Sequence, residues 1–261
     1  MKHVPGIRAI VLGGSRARGT STPDSDIDIG LYYEHEEELD FTELNRVAQA
    51  LDDDHRDNPI TPIGDWGKWV NAGGWLVVDG HQVDLILRDI RRVESVIADC
   101  QNGIAMPHYQ TGHPHAYIDA VYMGELAVCK IQWTSTERLT ELKAVAEIYP
   151  PKLKKTLIHL FSFEASFSHM LAVGSIDKDD VYYITAHIVR SLSALNQVIF
   201  ALNEEYCLNE KKAVRMIESF PIRPLEYKRR VDEVFAQIVP DPNGACDSLK
   251  SLIGEVEILC T

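Results

Sequence analysis

The chain has 261 residues, of which 45% are hydrophobic and 25% charged, as in soluble globular proteins. A formal net charge of -13 argues against a sequence-independent nucleic-acid binder, which needs a cationic surface to displace counterions. The five cysteines are irregularly spaced without a CxxC pair, which argues against a disulfide framework or a zinc site and favours reduced thiols in a cytoplasmic protein.

The first half of the chain is predicted to alternate strands with helices. Apolar runs predict strands over Ile7–Leu12, where a Gly-Gly pair follows, and over Ile27–Tyr32. Helical spacing of apolar residues predicts a helix over Asp40–Leu51, in which Asp40 and Glu43 have the spacing of a capping box. In GGWLVVDGHQVDLILRD, two β-rich runs meet at Asp79-Gly80 and predict a hairpin.

From about Thr136, helical periodicity dominates almost to the end of the chain. We therefore expect an α+β protein: an N-terminal α/β domain with a mixed sheet, over residues 1–135, and a C-terminal helical bundle over residues 136–261. No uncharged apolar run approaches the length of a membrane span, so we expect no membrane association.

Alternating aspartates mark the stretch VLGGSRARGTSTPDSDIDIGL, which begins at Val11. Strand alternation sends Asp26 and Asp28 to one face and the intervening isoleucines to the other. Two carboxylates on one face repel each other and lose hydration, and a divalent cation between them offsets that cost. The alternative, a polar loop whose aspartates cap turns, fits Asp24 but does not explain the alternation.

Just before these aspartates, a glycine and a serine follow the first predicted strand. Gly14 lets backbone N–H groups approach an anion, and Ser15 adds a hydroxyl donor. Arg16 or Arg18 can supply positive charge. The stretch therefore predicts a phosphate-binding turn followed by a metal-binding strand.

These motifs resemble the polymerase-beta-like nucleotidyltransferase superfamily, and in particular its small bacterial members, the kanamycin nucleotidyltransferase type and the minimal nucleotidyltransferases. The resemblance implies a third carboxylate on a later strand, and HQVDLIL supplies Asp84. It further implies that Asp26, Asp28 and Asp84 are catalytic and hold two Mg²⁺ ions. By the same resemblance, Gly14 and Ser15 bind the phosphates of ATP or another nucleoside triphosphate, and Arg18 assists them.

A glutamate lies within an apolar stripe of the predicted helix KLKKTLIHLFSFEASFSHML. Glu164 falls near the centre of this stripe, which includes Leu157, Phe161 and Phe167. The resemblance to kanamycin nucleotidyltransferase-like enzymes implies a general base from the helical domain, and Glu164 is our candidate for this catalytic role. A structural ion pair, with Arg190 for example, is an equally good interpretation.

Other polar and aromatic residues have two interpretations each. Asp179 and Asp180 precede a long predicted helix and fit N-caps, although one of them, Asp180 for example, is an alternative candidate base. The histidines of HYQTGHPHAY, which are His108, His113 and His115, fit a loop against the active site better than a metal centre. The tryptophans of GDWGKWVNAGGW fit a core or a domain interface, or the stacking of a base or sugar.

The sequence thus predicts a Mg²⁺-dependent transfer of a nucleoside monophosphate, AMP from ATP, to a hydroxyl group. The expected acceptor is a small molecule such as an aminoglycoside-like cation, which suits a cleft rich in carboxylates. The acidic charge argues against a nucleic-acid acceptor. Two alternatives are an antitoxin-like enzyme that adenylylates a protein and a nucleotide-binding regulator without turnover. A homodimer is compatible with the sequence.

Overall fold

A computed structural model describes residues 1–261 and divides them into two compact units. The first unit comprises residues 1–99, 106–112 and 117–148, and the second comprises residues 100–105, 113–116 and 149–261. The last division along the chain follows Ile148. No helix combines the length and the apolar character that a membrane span requires.

Strands are confined to the first unit. They are β1 (Ile7–Leu12), β2 (Ile27–Tyr33), β3 (Gly73–Val78), β4 (His81–Asp89), β5 (Pro107–His108), β6 (Tyr117–Ile118) and β7 (Lys130–Thr134). The helices along the whole chain are α1 (Gly14–Arg18), α2 (Phe41–Leu51), α3 (Ile90–Gln101), α4 (Val121–Val128), α5 (Glu137–Ala146), α6 (Pro151–Val173), α7 (Val181–Leu202), α8 (Ala213–Ile217), α9 (Tyr227–Gln237) and α10 (Pro242–Leu259).

Five strands form one mixed sheet in the order β3-β4-β2-β1-β7. β2 and β4 pair in parallel and the other neighbours are antiparallel. One face of this sheet is apolar, because alternate residues such as Leu31, Leu85 and Leu87 are buried there against Leu44 and Ala48 of α2. The opposite face is therefore the one to which Asp28 and Asp84 project.

Local sequence signals account for the ends of several elements. The β3–β4 hairpin turns at Asp79 and Gly80, whose φ angles of 50° and 75° are those of the expected tight turn. The Asp40 carboxylate accepts a hydrogen bond from the N–H of Glu43 and caps α2. Only this half of the predicted capping box forms, because the Glu43 carboxylate binds Arg46 instead.

The second unit is helical. α6 packs against α7, and α10 packs against both of them and against α9. The buried side of α6 consists of Leu153, Leu157, Phe161, Ala165, Ser168 and Ala172. Phe167, which the sequence analysis placed in this stripe, is instead 44% exposed and stacks on the exposed Phe163 at a centroid distance of 5.6 Å. The apolar stripe of α6 is therefore narrower than periodicity indicated.

Candidate active site

Two carboxylates from neighbouring strands lie side by side on the polar face of the sheet. In the parallel β2–β4 pair, Asp28 is the register partner of Asp84. Register partners project to the same face, and neighbouring strands are about 4.8 Å apart. Residues that are 56 positions apart in the sequence are thus brought together by strand pairing.

The start of α1 lies against one of these carboxylates. Gly13 donates its N–H to the carbonyl oxygen of Asp28 at 2.8 Å. Gly14 has a φ of 55°, and a Cβ at this residue would overlap the Asp28 carboxylate. Glycine is therefore required at position 14 for its backbone conformation and for the close approach of Asp28. Ser15 follows in the first turn of α1 and its carbonyl accepts the N–H of Gly19, which ends the helix.

Arg16 fixes the loop that leads to the acidic strand. Its guanidinium donates to the carbonyl oxygens of Ser25 at 2.6 Å, Asp26 at 3.2 Å and Pro23 at 3.5 Å. These hydrogen bonds occupy much of the donor capacity of Arg16, one of the two arginines expected to contact phosphate. Arg16 is therefore a positioning residue for Asp26, and Arg18 stays the predicted phosphate contact.

The donor set fits a magnesium ion, although no group of three acidic, histidine or cysteine side chains is arranged to hold a metal. Mg²⁺ is usually bound by one or two carboxylates together with substrate phosphates and water, not by a complete protein cage. The paired Asp28 and Asp84 provide two such carboxylates. Asp26 is exposed just before β2 and does not complete a three-residue group with them.

Glu164 belongs to the second unit and contacts an arginine and a histidine there. Its Oε1 lies 2.7 Å from Nε of Arg190 and 2.8 Å from Nε2 of His115. Burial raises the pKa of Glu164, but the hydrogen bond from His115 and the charges of both partners outweigh it and lower the pKa. The ion pair with Arg190, one of the two interpretations of this residue, is thus present.

Each of the three loop histidines pairs with a different carboxylate. His108 lies 3.1 Å from Asp119, and its ring also stacks on Trp69. In the second unit, His113 lies 2.9 Å from Glu210, just as His115 binds Glu164. Glu210 and Glu164 are far in the sequence from their histidines, so the sequence carried no signal for these two pairs. Elsewhere in that unit, Asp180 caps α7 by accepting the N–H of Tyr183 at 3.0 Å.

Two tryptophans lie on the polar face of the sheet, which carries Asp28 and Asp84. Trp75 of β3 is the register partner of Asp84, and 60% of its surface is exposed. Trp66 stacks on Trp75 at a centroid distance of 4.5 Å with an interplanar angle of 27°. The third tryptophan of this segment, Trp69, is buried. Trp69 therefore has the core role that the sequence allowed, whereas Trp75 is exposed and its ring contacts Trp66.

Comparison with known proteins gives one family match and a remote structural likeness. Residues 2–98 match the family model described as a nucleotidyltransferase domain. No curated protein matches the chain in sequence. Among solved structures, the chain is similar to a nucleotidyltransferase-like protein from Exiguobacterium sibiricum 255-15, with a TM-score of 0.45 and 10% identity over 98% of this chain and 69% of that chain. A likeness of this degree supports no functional assignment.

Proposed function

We propose, from the match of residues 2–98 to the model of a nucleotidyltransferase domain, that the protein transfers AMP from ATP to a hydroxyl group of a small molecule. The observation that carries the proposal is the pairing of Asp28 with Asp84 beside the glycine turn at Gly14. Two carboxylates on neighbouring strands, next to a turn without a side chain, are suited to bind the metal-bound triphosphate of a nucleotide.

Each residue of the site has a role in this reaction. Asp28 and Asp84, with Asp26, would hold Mg²⁺, which supplies charge neutralisation of the phosphates and a lower pKa for the acceptor hydroxyl. Gly14 and Ser15 would orient the β- and γ-phosphates, with Arg18 as a further cation. The acceptor oxygen attacks the α-phosphorus in line, so that a new O–P bond forms while the bond to the departing pyrophosphate breaks.

The proton of the acceptor hydroxyl requires a base. Glu164 remains the sequence-based candidate, but a carboxylate with a lowered pKa is a weaker base. Its partners His115 and Arg190 favour a structural role in the helical unit. The aspartates of the sheet are the alternative, because a hydroxyl beside them and a bound cation loses its proton readily.

The acidic character of the protein supports a cationic acceptor. A net charge of -13 attracts a polyamine-like or aminoglycoside-like molecule and repels nucleic acid. The paired carboxylates favour turnover over nucleotide binding alone, because binding does not require them both.

Labelled ATP tests the proposal directly. The purified protein is incubated with α-labelled ATP, Mg²⁺ and a panel of hydroxylated acceptors, and the label is followed together with pyrophosphate release. We expect label in a small-molecule product. Labelled protein would instead identify a protein adenylyltransferase, and nucleotide binding without pyrophosphate release would identify a regulator.

A matched pair of variants links the activity to the site. Asp28→Asn removes one carboxylate of the pair and should abolish pyrophosphate release without loss of the folded state. Asp79→Asn makes the same charge change in the exposed turn of the β3–β4 hairpin and should leave the activity unchanged. Unchanged turnover in Asp28→Asn would contradict the assignment of the metal site.

A further inference from the structure

We propose that Trp75, backed by Trp66, is the surface on which a ring of the acceptor stacks. This inference rests on the proposed function and adds a specificity-determining residue to it. Trp75 lies directly across the β3–β4 pair from Asp84, and partners in such a pair share one face about 5 Å apart. The exposed indole is therefore the immediate neighbour of a carboxylate of the candidate metal site.

The strand order indicates that this surface faces the acceptor and not the leaving group. The glycine turn that ends β1 lies on one side of Asp28, whereas β4 and then β3 lie on the other side. In an in-line displacement, the attacking oxygen and the leaving pyrophosphate are on opposite sides of the phosphorus. If Gly14 and Ser15 hold the pyrophosphate, the acceptor approaches from the side of Asp84 and Trp75.

Backbone contacts hold the two tryptophans in place. A Cβ at Gly73 would overlap the Trp66 ring, so the bare glycine lets this indole lie directly on β3. The carbonyl oxygen of Trp66 accepts a hydrogen bond from Gln110 at 2.5 Å. The carbonyl oxygen of Trp75 accepts one from Arg56 at 2.6 Å. The Trp75 ring packs on the Trp66 ring, which itself lies on the backbone at Gly73, so this surface loses little conformational freedom when another ring binds.

The dimensions of the site favour one class of acceptor. A hydroxyl that reaches Asp84 while its ring lies over Trp75 must be attached directly to that ring, because the two residues are only one strand spacing apart. The flat faces of sugars and cyclitols are apolar and suit an indole, and an amino substituent adds a cation–π interaction. We therefore commit to a hydroxylated saturated ring as the occupant.

Binding of ring compounds tests this proposal. The protein is loaded with Mg²⁺ and a non-hydrolysable ATP analogue and is then titrated calorimetrically with kanamycin, D-glucosamine and myo-inositol. We expect at least one of these probes to bind, about tenfold more weakly to Trp75→Ala and nearly normally to Trp75→Phe, which keeps an aromatic ring. Val77→Ala, on the same strand and face but one pair further from Asp84, is the matched control and should bind normally.

Three results would overturn the proposal. The first is that none of the probes binds although the ATP analogue does. The second is equal binding by wild type and Trp75→Ala. The third is that Trp75→Ala weakens the ATP analogue instead, which would place the nucleobase on the indole. Failure of the proposed function is distinguishable, because the wild-type protein would then transfer no label from α-labelled ATP to a small molecule, whichever of the probes binds.

Discussion

Replacement of Gly14 by alanine tests the close approach of α1 to Asp28. At a φ of 55°, an alanine costs about 1–2 kcal/mol. Its Cβ would overlap Oδ2 of Asp28 and lie 2.5 Å from Cγ, whereas ordinary contacts begin at 3.4 Å, so the carboxylate must move by at least about 1 Å. A misplacement of about 1 Å lowers catalytic rates about a hundredfold. We therefore expect Gly14→Ala to release pyrophosphate about 100-fold more slowly and to melt about 2–8 °C lower.

The matched control is Gly19→Ala, at the other end of the same helix. Gly19 has a φ of 74°, and nothing lies within 4 Å of the position of an added Cβ. This variant should show a similar decrease in melting temperature but nearly normal activity, since no carboxylate is displaced. A coupled pyrophosphate assay and thermal unfolding measure the two effects separately. Normal activity in Gly14→Ala, or an equal loss in both variants, would refute the reasoning.

Three other changes have distinct expected outcomes. Arg16→Lys removes guanidinium hydrogen bonds to the loop before β2, so the Mg²⁺ concentration for half-maximal activity should rise about tenfold. A metal titration measures this concentration, and an unchanged value contradicts the positioning role of Arg16. Glu164→Gln should destabilise by about 1.5–3 kcal/mol at pH 7. The pKa of Glu164 is lowered in the folded protein, so the stability difference between wild type and Glu164→Gln is present above the ordinary pKa of 4.5. It disappears as the pH falls from 4.5 through the lowered pKa, and thermal unfolding at several pH values measures it. Asp53→Ala removes the acceptor of the Asp79 and Gly80 N–H groups and should cost about 1–2 kcal/mol in denaturant unfolding, with activity retained.

Short-range signals predicted the elements that carry the site. The strand over Ile7–Leu12 is confirmed at both ends, and the Asp79-Gly80 turn forms the predicted hairpin. Each of these two predictions rested on one residue pair and its immediate neighbours. The Gly-Gly pair marked the end of β1, and the Asp79-Gly80 pair marked the tight turn between β3 and β4. The confirmed α+β fold with a mixed sheet followed from the same local patterns.

Elements without a local signature were missed. α4 is buried nearly all round, so its sequence lacks the polar face that marks an amphipathic helix. β7 has only five residues at the edge of the sheet, too few for a clear alternation. Strand register and ion pairs between distant residues depend on tertiary packing. The partnership of Asp28 with Asp84 and the hydrogen bond from His115 to Glu164 therefore became visible only in three dimensions.

The outer edge of β3 is covered by the chain's own segment 52–61. The N–H groups of Asp53 and Thr61 donate to carbonyls of β3, and the Asp52 carboxylate accepts the N–H of Val77. An open edge of this kind would invite β-augmentation by a foreign peptide or fibril-like pairing between copies. Because these main-chain groups already have hydrogen-bond partners, a molecule that binds at this edge of the sheet must be recognised by side chains. Trp75, next to Asp84, is the side chain best placed for that contact.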